Sequence, residues 1–588
     1  MIISFRNARF EATSTYAEKD ALKGAGFRWE PTARLWYTAD AAIAAKLARH
    51  ADEATHGMLT DAMAQRATAL AISRATSAGA TVPAPAGLAY LPFQNAGIAG
   101  LLSRPSALLA DEMGLGKTVQ AIALLNADES LRRAIVVCPA TLRLNWQREI
   151  QRWLTRPLSV ALASSTEWPN ADIVIINYDI VHKHAAILAA TEFDLAIIDE
   201  AHYAKNPKAR RTVHIIGRKE TRNAPGISGI RARRRLMMTG TPIVNRPKEL
   251  FPLVNWLDPT SFPKFFPFAM RYCAAYNNGW GWNFDGASHL DELQEKLRAT
   301  VMIRRLKADV LTELPAKRRQ VIEIPANGCS AFIAREQAAQ EQHERTATAL
   351  RAAVEAAREA GDQAAYEAAV NALRAGQSAA FEEMARLRHE TALAKAPYVV
   401  EHLRDALDAG AKVVVFAHHH DVVDAIAAEF GDLAAIVDGR TPMAQRQANV
   451  DRFQNDDACT LFIGGITAAG VGITLTAASH VIFAELDWVP GNMTQAEDRL
   501  HRIGQRDSVL VQHLVLEGSL DAHMAHTLVA KQATMDSALD IVDEGYEATR
   551  FAIDAREPEP VIESRVEAPE PRDEGVAVES DDPWAPPF

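Results

Sequence analysis

Cysteine is scarce in this chain of 588 residues: Cys138, Cys273, Cys329 and Cys459 are the only four, and no two stand at Cys-x-x-Cys spacing. That excludes a disulfide framework and the common zinc modules, and it suits a reducing cytoplasm, bacterial or phage-like. Long apolar runs are missing too, and the opening Met-Ile-Ile-Ser-Phe-Arg lacks the order of a secretion signal, so no membrane association is expected. His418 to His420 stand together but have no partner ligands at zinc spacing. An excess of basic charge is also lacking, the net charge being −11. That deficit is local: residues 554–588 hold 11 acids against 3 arginines, which leaves −3 for the rest of the chain. A polyanion-binding body is therefore not excluded.

A hydrophobic share of 48% with 23% charged residues is that of a folded globular chain, and the length asks for three or four domains. Residues 1–55 read as a small α+β module. Met1 to Thr13 predicts a strand, Tyr16 to Lys23 a short helix stopped by Gly24 and Gly26, and Phe27 to Thr38 a hairpin. Trp29 and Trp36 are expected in its core, although aromatics among Arg28, Arg34, Lys19 and Lys23 could also stack bases. Residues 56–87, Ala-rich and then Pro- and Gly-rich, read as a linker. Short apolar runs at 134–138, 173–176, 195–198 and 236–238 end in polar clusters, as buried parallel strands do. From about 326 to 395 the composition turns to Ala, Glu, Gln and Arg at helical spacing, broken once at Gly361-Asp362, which predicts a helical hairpin. A second α/β series follows in 396–545, and residues 546–588 form an acidic, Pro-rich tail that cannot bury enough apolar surface to fold alone. Lys208, Arg210, Arg211, Arg218, Lys219, Arg222, Arg231 and Arg233 to Arg235 make a basic segment suited to phosphate contacts or to plain solvation.

The organising stretch is Ala107-Leu-Leu-Ala-Asp-Glu-Met-Gly-Leu-Gly-Lys-Thr-Val-Gln120, an apolar strand, a turn with Gly114 and Gly116, and a helix opened by Lys117-Thr118. It reads as a phosphate-binding loop. Backbone N–H groups at a helix N-terminus cradle anionic oxygens, Lys117 reaches the outer phosphates and the Thr118 hydroxyl faces Mg²⁺. Asp111 departs from the strict pattern, which has glycine there; a plain helix start with two turn glycines is the simpler alternative. Further on, Phe193-Asp-Leu-Ala-Ile-Ile-Asp-Glu-Ala-His202 puts two carboxylates at a strand end. Asp199 there suits Mg²⁺ and Glu200 suits the water that attacks a γ-phosphate, so the pair after a phosphate loop points to phosphate hydrolysis.

In order, these segments resemble the motifs of the Swi/Snf-type ATPases, within the helicase superfamily that includes the DEAH-box proteins. The resemblance runs from Leu88 to about Lys531. Asp111 to Thr118 is similar to that family's phosphate loop, Gln94 to its adenine-recognising glutamine, and Asp199-Glu-Ala-His202 to its second motif. Thr239-Gly-Thr-Pro242 resembles the third, Ala468-Ala-Gly-Val-Gly-Ile-Thr-Leu475 the fifth, and Gln495 to Gln505 the sixth. Ile303-Arg-Arg-Leu-Lys-Ala-Asp-Val310, Leu314-Pro-Ala-Lys317 and Val415-Phe-Ala-His-His419 look more finely like the branch of HARP-bearing annealing helicases, and the hairpin of residues 29–37 is distantly similar to the HARP module itself.

The resemblance implies an α/β fold of two RecA-like parallel-sheet lobes, at 88–325 and 396–545, with a helical protrusion at 326–395. It implies ATP with Mg²⁺ on Thr118 and Asp199. Nucleotide contacts would come from Gln94, Gly114, Gly116, Lys117, Thr118 and Gly472, with Glu200 at the water and Arg499 and Arg502 as arginine fingers. Thr239, Gly240, Thr241, Gly470 and Thr474 would couple the site to DNA. The expected activity is an ATP-dependent translocase on double-stranded or forked DNA that remodels or reanneals it in replication or repair. A strand-separating helicase, a remodeller that displaces polymerase or other proteins, and a non-enzymatic adaptor are the rivals. The ending Asp-Asp-Pro-Trp-Ala-Pro-Pro-Phe588 is similar to the tip by which bacterial single-stranded-DNA-binding proteins recruit replication enzymes, so Phe588 could engage a replication protein; a merely solubilising tail is the alternative.

Overall fold

The computed structural model describes residues 1–79, 81–220, 225–240, 247–277, 281–311, 313–326, 328–469 and 472–525. Thr241, Gly470 and the tail at 546–588 lie outside the described residues, as does the end of the second α/β series.

Two parallel sheets carry the chain. In lobe one the spatial order is Met302–Ile303, Ser106–Leu109, Arg231–Met238, Glu192–Ile198, Ala134–Cys138, Ile173–Asn177 and Val160–Leu162, with every neighbouring pair parallel. The strands Ala134–Cys138 and Ile173–Asn177 are buried from end to end, which is why they read as unbroken apolar runs rather than alternating ones. Helices cover both faces and give the lobe two cores. One gathers Ile135, Val174, Phe193, Phe251 and Leu297; the other gathers Ile98, Leu124, Val136, Trp146 and Ile197. The order brings four strand ends together side by side, after Ile303, Leu109, Met238 and Ile198, where the phosphate-type loop and Asp199 emerge.

Lobe two has six parallel strands in the order Lys317–Ile324, Val509–Leu516, His480–Phe483, Val413–Ala417, Leu461–Gly465 and Ala434–Val437. The first of these corrects the expected boundary: residues 317–324, read as the end of lobe one, form an edge strand of lobe two through their register with Val509–Leu516. Helices Ser330–Glu359 and Gln363–Asp408 make the hairpin, turning at Gly361 with φ +69, and the second runs well past residue 395 onto the sheet of lobe two.

The N-terminal module is a four-stranded antiparallel sheet, and its opening stretch is a hairpin rather than one strand. Asn7 and Ala8, at φ 50 and 59, make the tight turn that the strand reading passed over. Ile3, Phe10, Leu22, Phe27 and Leu47 form its core. Trp29 does not: it lies on an edge strand, 47% exposed and tilted against half-buried Trp36 at 5.5 Å. The expected linker is also different. Residues Glu53–Arg74 are a helix, capped by the Asp52 carboxylate on the Thr55 N–H, and it lies on lobe one. No helix among the described residues is long and apolar enough to cross a membrane.

Candidate active site

The phosphate-type loop follows strand Ser106–Leu109 and ends where helix Lys117–Ala127 begins. Gly114 and Gly116 sit at φ +86 and +76, a conformation that L side chains rarely adopt. A Cβ at Gly116 would stand 2.5 Å from Gln94 Nε2, so both glycines keep the cradle open. Gln94 is pinned beside it, accepting from the Leu91 N–H at 2.9 Å and donating to the Leu115 carbonyl at 3.3 Å. Lys117 Nζ donates to the carbonyls of Asp111 and Glu112 at 2.8 and 3.3 Å. Burial lowers its affinity for a proton, against the pull of Glu200, Asp111 and Asp199. Thr118 stands in the first turn of the helix.

Asp111, the departure from the glycine pattern, proves to be a buried hub. Its carboxylate pairs with the Arg305 guanidinium, accepts the Arg305 N–H at 3.0 Å and takes the Gln120 side-chain amide at 2.9 Å. Arg305 follows strand Met302–Ile303, so this ion pair ties the loop to the neighbouring strand end. The sequence carried that partner only inside the Ile303 to Val310 resemblance.

Asp199 and Glu200 leave the end of strand Glu192–Ile198. Tyr178 holds the turn by donating to the Asp199 carbonyl at 2.7 Å. Asp199 Oδ2 accepts from Trp146 Nε1 at 2.8 Å, and Oδ1 from the Glu200 N–H at 2.9 Å. Trp146 was missed as a site residue because nothing local marks what its ring touches. Burial and the Glu200 charge push the Asp199 carboxyl up. Burial works the same way on Glu200, but His202, whose Nδ1 is 3.3 Å from Glu200 Oε2, together with Lys117 and Arg499 brings it below its usual range. Glu200 is also a non-glycine residue at φ 49 and ψ 53, a left-handed conformation that costs on the order of 1–2 kcal/mol.

Thr239 and Gly240 follow strand Arg231–Met238, and Thr239 donates its N–H to the Leu109 carbonyl at 3.2 Å. A Cβ at Gly240 would come 2.5 Å from Met113 and 3.5 Å from Lys117 Nζ, so this segment lies directly against the loop. Within the basic segment Lys208, Arg210, Arg211, Arg218, Lys219 and Arg231 are exposed, Arg222 lies outside the described residues, and the last three arginines are engaged by protein acceptors. Arg233 pairs with Asp194, Arg234 donates to the Arg104 carbonyl at 2.8 Å, and Arg235 donates to the Trp256 carbonyl at 2.6 Å.

Lobe two closes the other wall. Arg499 and Arg502 follow helix Pro490–Glu497 and are half-buried in the cleft, with Glu200 and Asp199 opposing the effect of burial on Arg499. Burial lowers Arg502 to about 10. It donates to Thr474 Oγ1 at 2.9 Å, so Thr474, expected on the DNA track, holds a cleft arginine here. A Cβ on Gly114 would lie 3.0 Å from Arg502 Cβ. Gly472, at φ +82, packs against Leu142 of lobe one. Lys117, Gln94, Asp199, Glu200, Gly240, Arg499 and Arg502 are thus brought to one cleft.

Two parallel α/β lobes that close on a glycine loop, a carboxylate pair and two arginines define the helicase-like class. Residues 93–349 match the SNF2-related domain and residues 395–504 the helicase conserved C-terminal domain, so the chain carries the two domains of a Swi/Snf-type ATPase. It is similar to the SWI/SNF-related matrix-associated actin-dependent regulator of chromatin subfamily A-like protein 1 of Xenopus tropicalis, 36% identical over 74% of this chain and 43% of that protein. It is likewise similar to the DNA annealing helicase and endonuclease ZRANB3 of Homo sapiens, 34% identical over 76% of this chain and 40% of that protein. The chain therefore spans less than half the length of these two relatives. The SWI2/SNF2 ATPase core of Sulfolobus solfataricus, solved in complex with double-stranded DNA, covers 76% of this chain and 92% of that one at 21% identity, with a TM-score of 0.35.

Proposed function

We propose that this chain is a DNA-dependent ATPase that translocates on double-stranded or forked DNA and remodels or reanneals it in replication or repair. The observation that carries the reading is the meeting of Lys117, Asp199 and Glu200 from one lobe with Arg499 and Arg502 from the other across a single cleft. A relative named as a DNA annealing helicase supports the direction of the chemistry.

The residues fit ATP and a divalent cation. The open turn that a Cβ at Gly114 or Gly116 would obstruct suits a phosphate chain, and hard oxygen donors at Thr118 and Asp199 suit Mg²⁺. When bound, Mg²⁺ would offset charge on the phosphate oxygens. Lys117 would exchange its carbonyl partners for phosphate oxygens. Glu200, ionised and held near His202, would orient a water and polarise its O–H bond. Arg499 and Arg502 would stabilise charge developing on the transferred group, and Gln94 would read the base. Thr239, Gly240 and Thr241 on one lobe and Gly470 and Thr474 on the other would pass opening and closing of the cleft to the DNA track, with Gly472 at the nucleotide. Stepping along any sequence requires contacts to phosphates and duplex shape rather than to base edges.

The test is hydrolysis of ATP with duplex, single-stranded and forked DNA. Stimulation by duplex or forked DNA is expected, with K117A and E200Q each lowering it by about 100-fold or more. Hydrolysis near the parent level in either variant overturns the site, and displacement of a labelled strand from a simple duplex would move the reading to a strand-separating helicase. The free, buried thiols are in keeping with a reducing compartment. For the tail we propose capture of a replication protein through Phe588; unchanged binding to such proteins after removal of Pro587 and Phe588 overturns it.

A further inference from the structure

A lysine with no role in that scheme stands between the loop and the arginines. Lys307 opens helix Lys307–Val310 just beyond strand Met302–Ile303 of lobe one. Its backbone N–H donates to Glu112 Oε2 at 2.7 Å, inside the phosphate-type loop. Its side chain, 5% exposed, turns to lobe two, where Nζ lies 2.9 Å from Asp498 Oδ1 and donates to the His501 carbonyl at 2.7 Å. These two acceptors immediately precede Arg499 and Arg502 in the chain. A Cβ on Gly114 would meet Lys307 Cε at 3.3 Å as well as Arg502, so loop, lysine and arginine segment touch without a gap.

Other charges converge on the same point. Lys317 Nζ, from the edge strand of lobe two, lies 3.1 Å from the same Asp498 oxygen and 2.9 Å from Glu497, and Glu112 Oε1 is 3.9 Å from Lys307 Nζ. Dehydrating an ammonium and a carboxylate makes such a contact a poor adhesive compared with apolar packing of similar volume. What it supplies is direction. The ammonium is satisfied only when Asp498 and the His501 carbonyl both sit at its tip, while its backbone is fixed to Glu112.

We infer that Lys307 is a positioning residue that holds Arg499 and Arg502 in register with the phosphate loop, passing movement of Glu112 on nucleotide entry to the arginine segment. The inference rests on the nucleotide reading of the cleft. It assigns Lys307 to the hydrolytic step rather than to nucleotide binding.

The test compares the full chain with K307M, K307R, D498N, the K307M/D498N double variant and K117A, measuring melting temperature, affinity for a fluorescent ATP analogue, and kcat and KM with saturating DNA. K307M is expected to lower kcat about tenfold or more while analogue affinity stays within about threefold, because the lost contact acts on geometry and not on ground-state binding. K307R, which keeps the charge, should recover a large part of kcat; D498N should fall like K307M; and the double variant should be no slower than the slower single one. A kcat for K307M within about twofold of the parent, an equal loss of analogue affinity, or fully additive losses overturns the inference. Should K307M not fold, D498N and K307R decide it by the same split between kcat and affinity. K117A separates the two readings: hydrolysis at the parent level there removes the nucleotide site itself, whereas loss in K117A with an unaffected K307M removes only the coupling.

Discussion

One indole nitrogen governs how Asp199 stands. Burial and the Glu200 charge raise this carboxyl, and the Trp146 hydrogen bond is among the influences that pull it back. W146F keeps an aromatic side chain, smaller than the indole, and loses the donor, so the carboxyl should rise further. Its proton then competes harder with a divalent cation, and the ionised, metal-holding form is reached only at higher pH. The Mg²⁺ concentration giving half-maximal hydrolysis should therefore rise by about tenfold, more at about pH 6.5 than at about pH 8.5. An unchanged Mg²⁺ titration at both pH values would remove Trp146 from this role.

The segment that carries the two arginines is held by lobe two's own edge strand. Glu497, 2% exposed by its side chain, lies 2.9 Å from Lys317 Nζ and 2.6 Å from Arg319 Nη2. Burial alone would raise its carboxyl, but the two cations reverse that and bring it from 4.5 to about 2. A lowered folded value means stabilisation that is complete above about pH 4.5 and is lost as pH falls toward about 2. Thermal unfolding should show that acid decline. E497Q should flatten it while costing about 3 kcal/mol at neutral pH, because two cations lose a charged partner. An acid decline as steep in E497Q as in the parent would contradict the assignment. This strand also shows where sequence reading stopped. Runs such as Ile173 to Ile176 are legible because burial on both faces leaves an apolar block, Asp199 is legible because it stands at the end of one, and Lys117 because it opens a helix across a glycine-bearing turn from another. Lys317–Ile324 alternates weakly, and its partner Val509–Leu516 is far along the chain, so nothing local assigns it to lobe two. Lys307 and Trp146 escaped for the same reason, since their chemistry lies in contacts across strands and lobes.

At the scale of the whole molecule, the helix taken for a linker belongs energetically to lobe one. Ser73 Oγ donates to the Met302 carbonyl at 2.7 Å, Arg104 Nη2 to the Ala69 carbonyl at 3.0 Å, and Arg298 Nη1 to Ser73 Oγ at 3.2 Å. Burial lowers both Arg104 and Arg298 to about 10, the mark of guanidinium groups that depend on protein acceptors instead of water. The module ahead of the helix is seated on the helix's first turns, through Leu59 in the module's core, the Phe5 N–H on Thr55 Oγ1 at 2.9 Å and the Asp52 N–H on the Ile3 carbonyl at 3.0 Å, while its tie to lobe one itself is an ion pair of Lys296 with Asp40 at 3.7 Å. Removing residues 1–50 should therefore leave the melting temperature of the two lobes within a few degrees of the full chain. Removing residues 1–79 takes away the Ala69 and Ser73 acceptors and uncovers the face beneath the helix, which should cost about 3 kcal/mol or more and show as a distinctly earlier unfolding transition. Equal melting of the two truncations would mean that Glu53–Arg74 is a tether after all. A large loss in the shorter truncation would instead place the N-terminal sheet within the fold of lobe one.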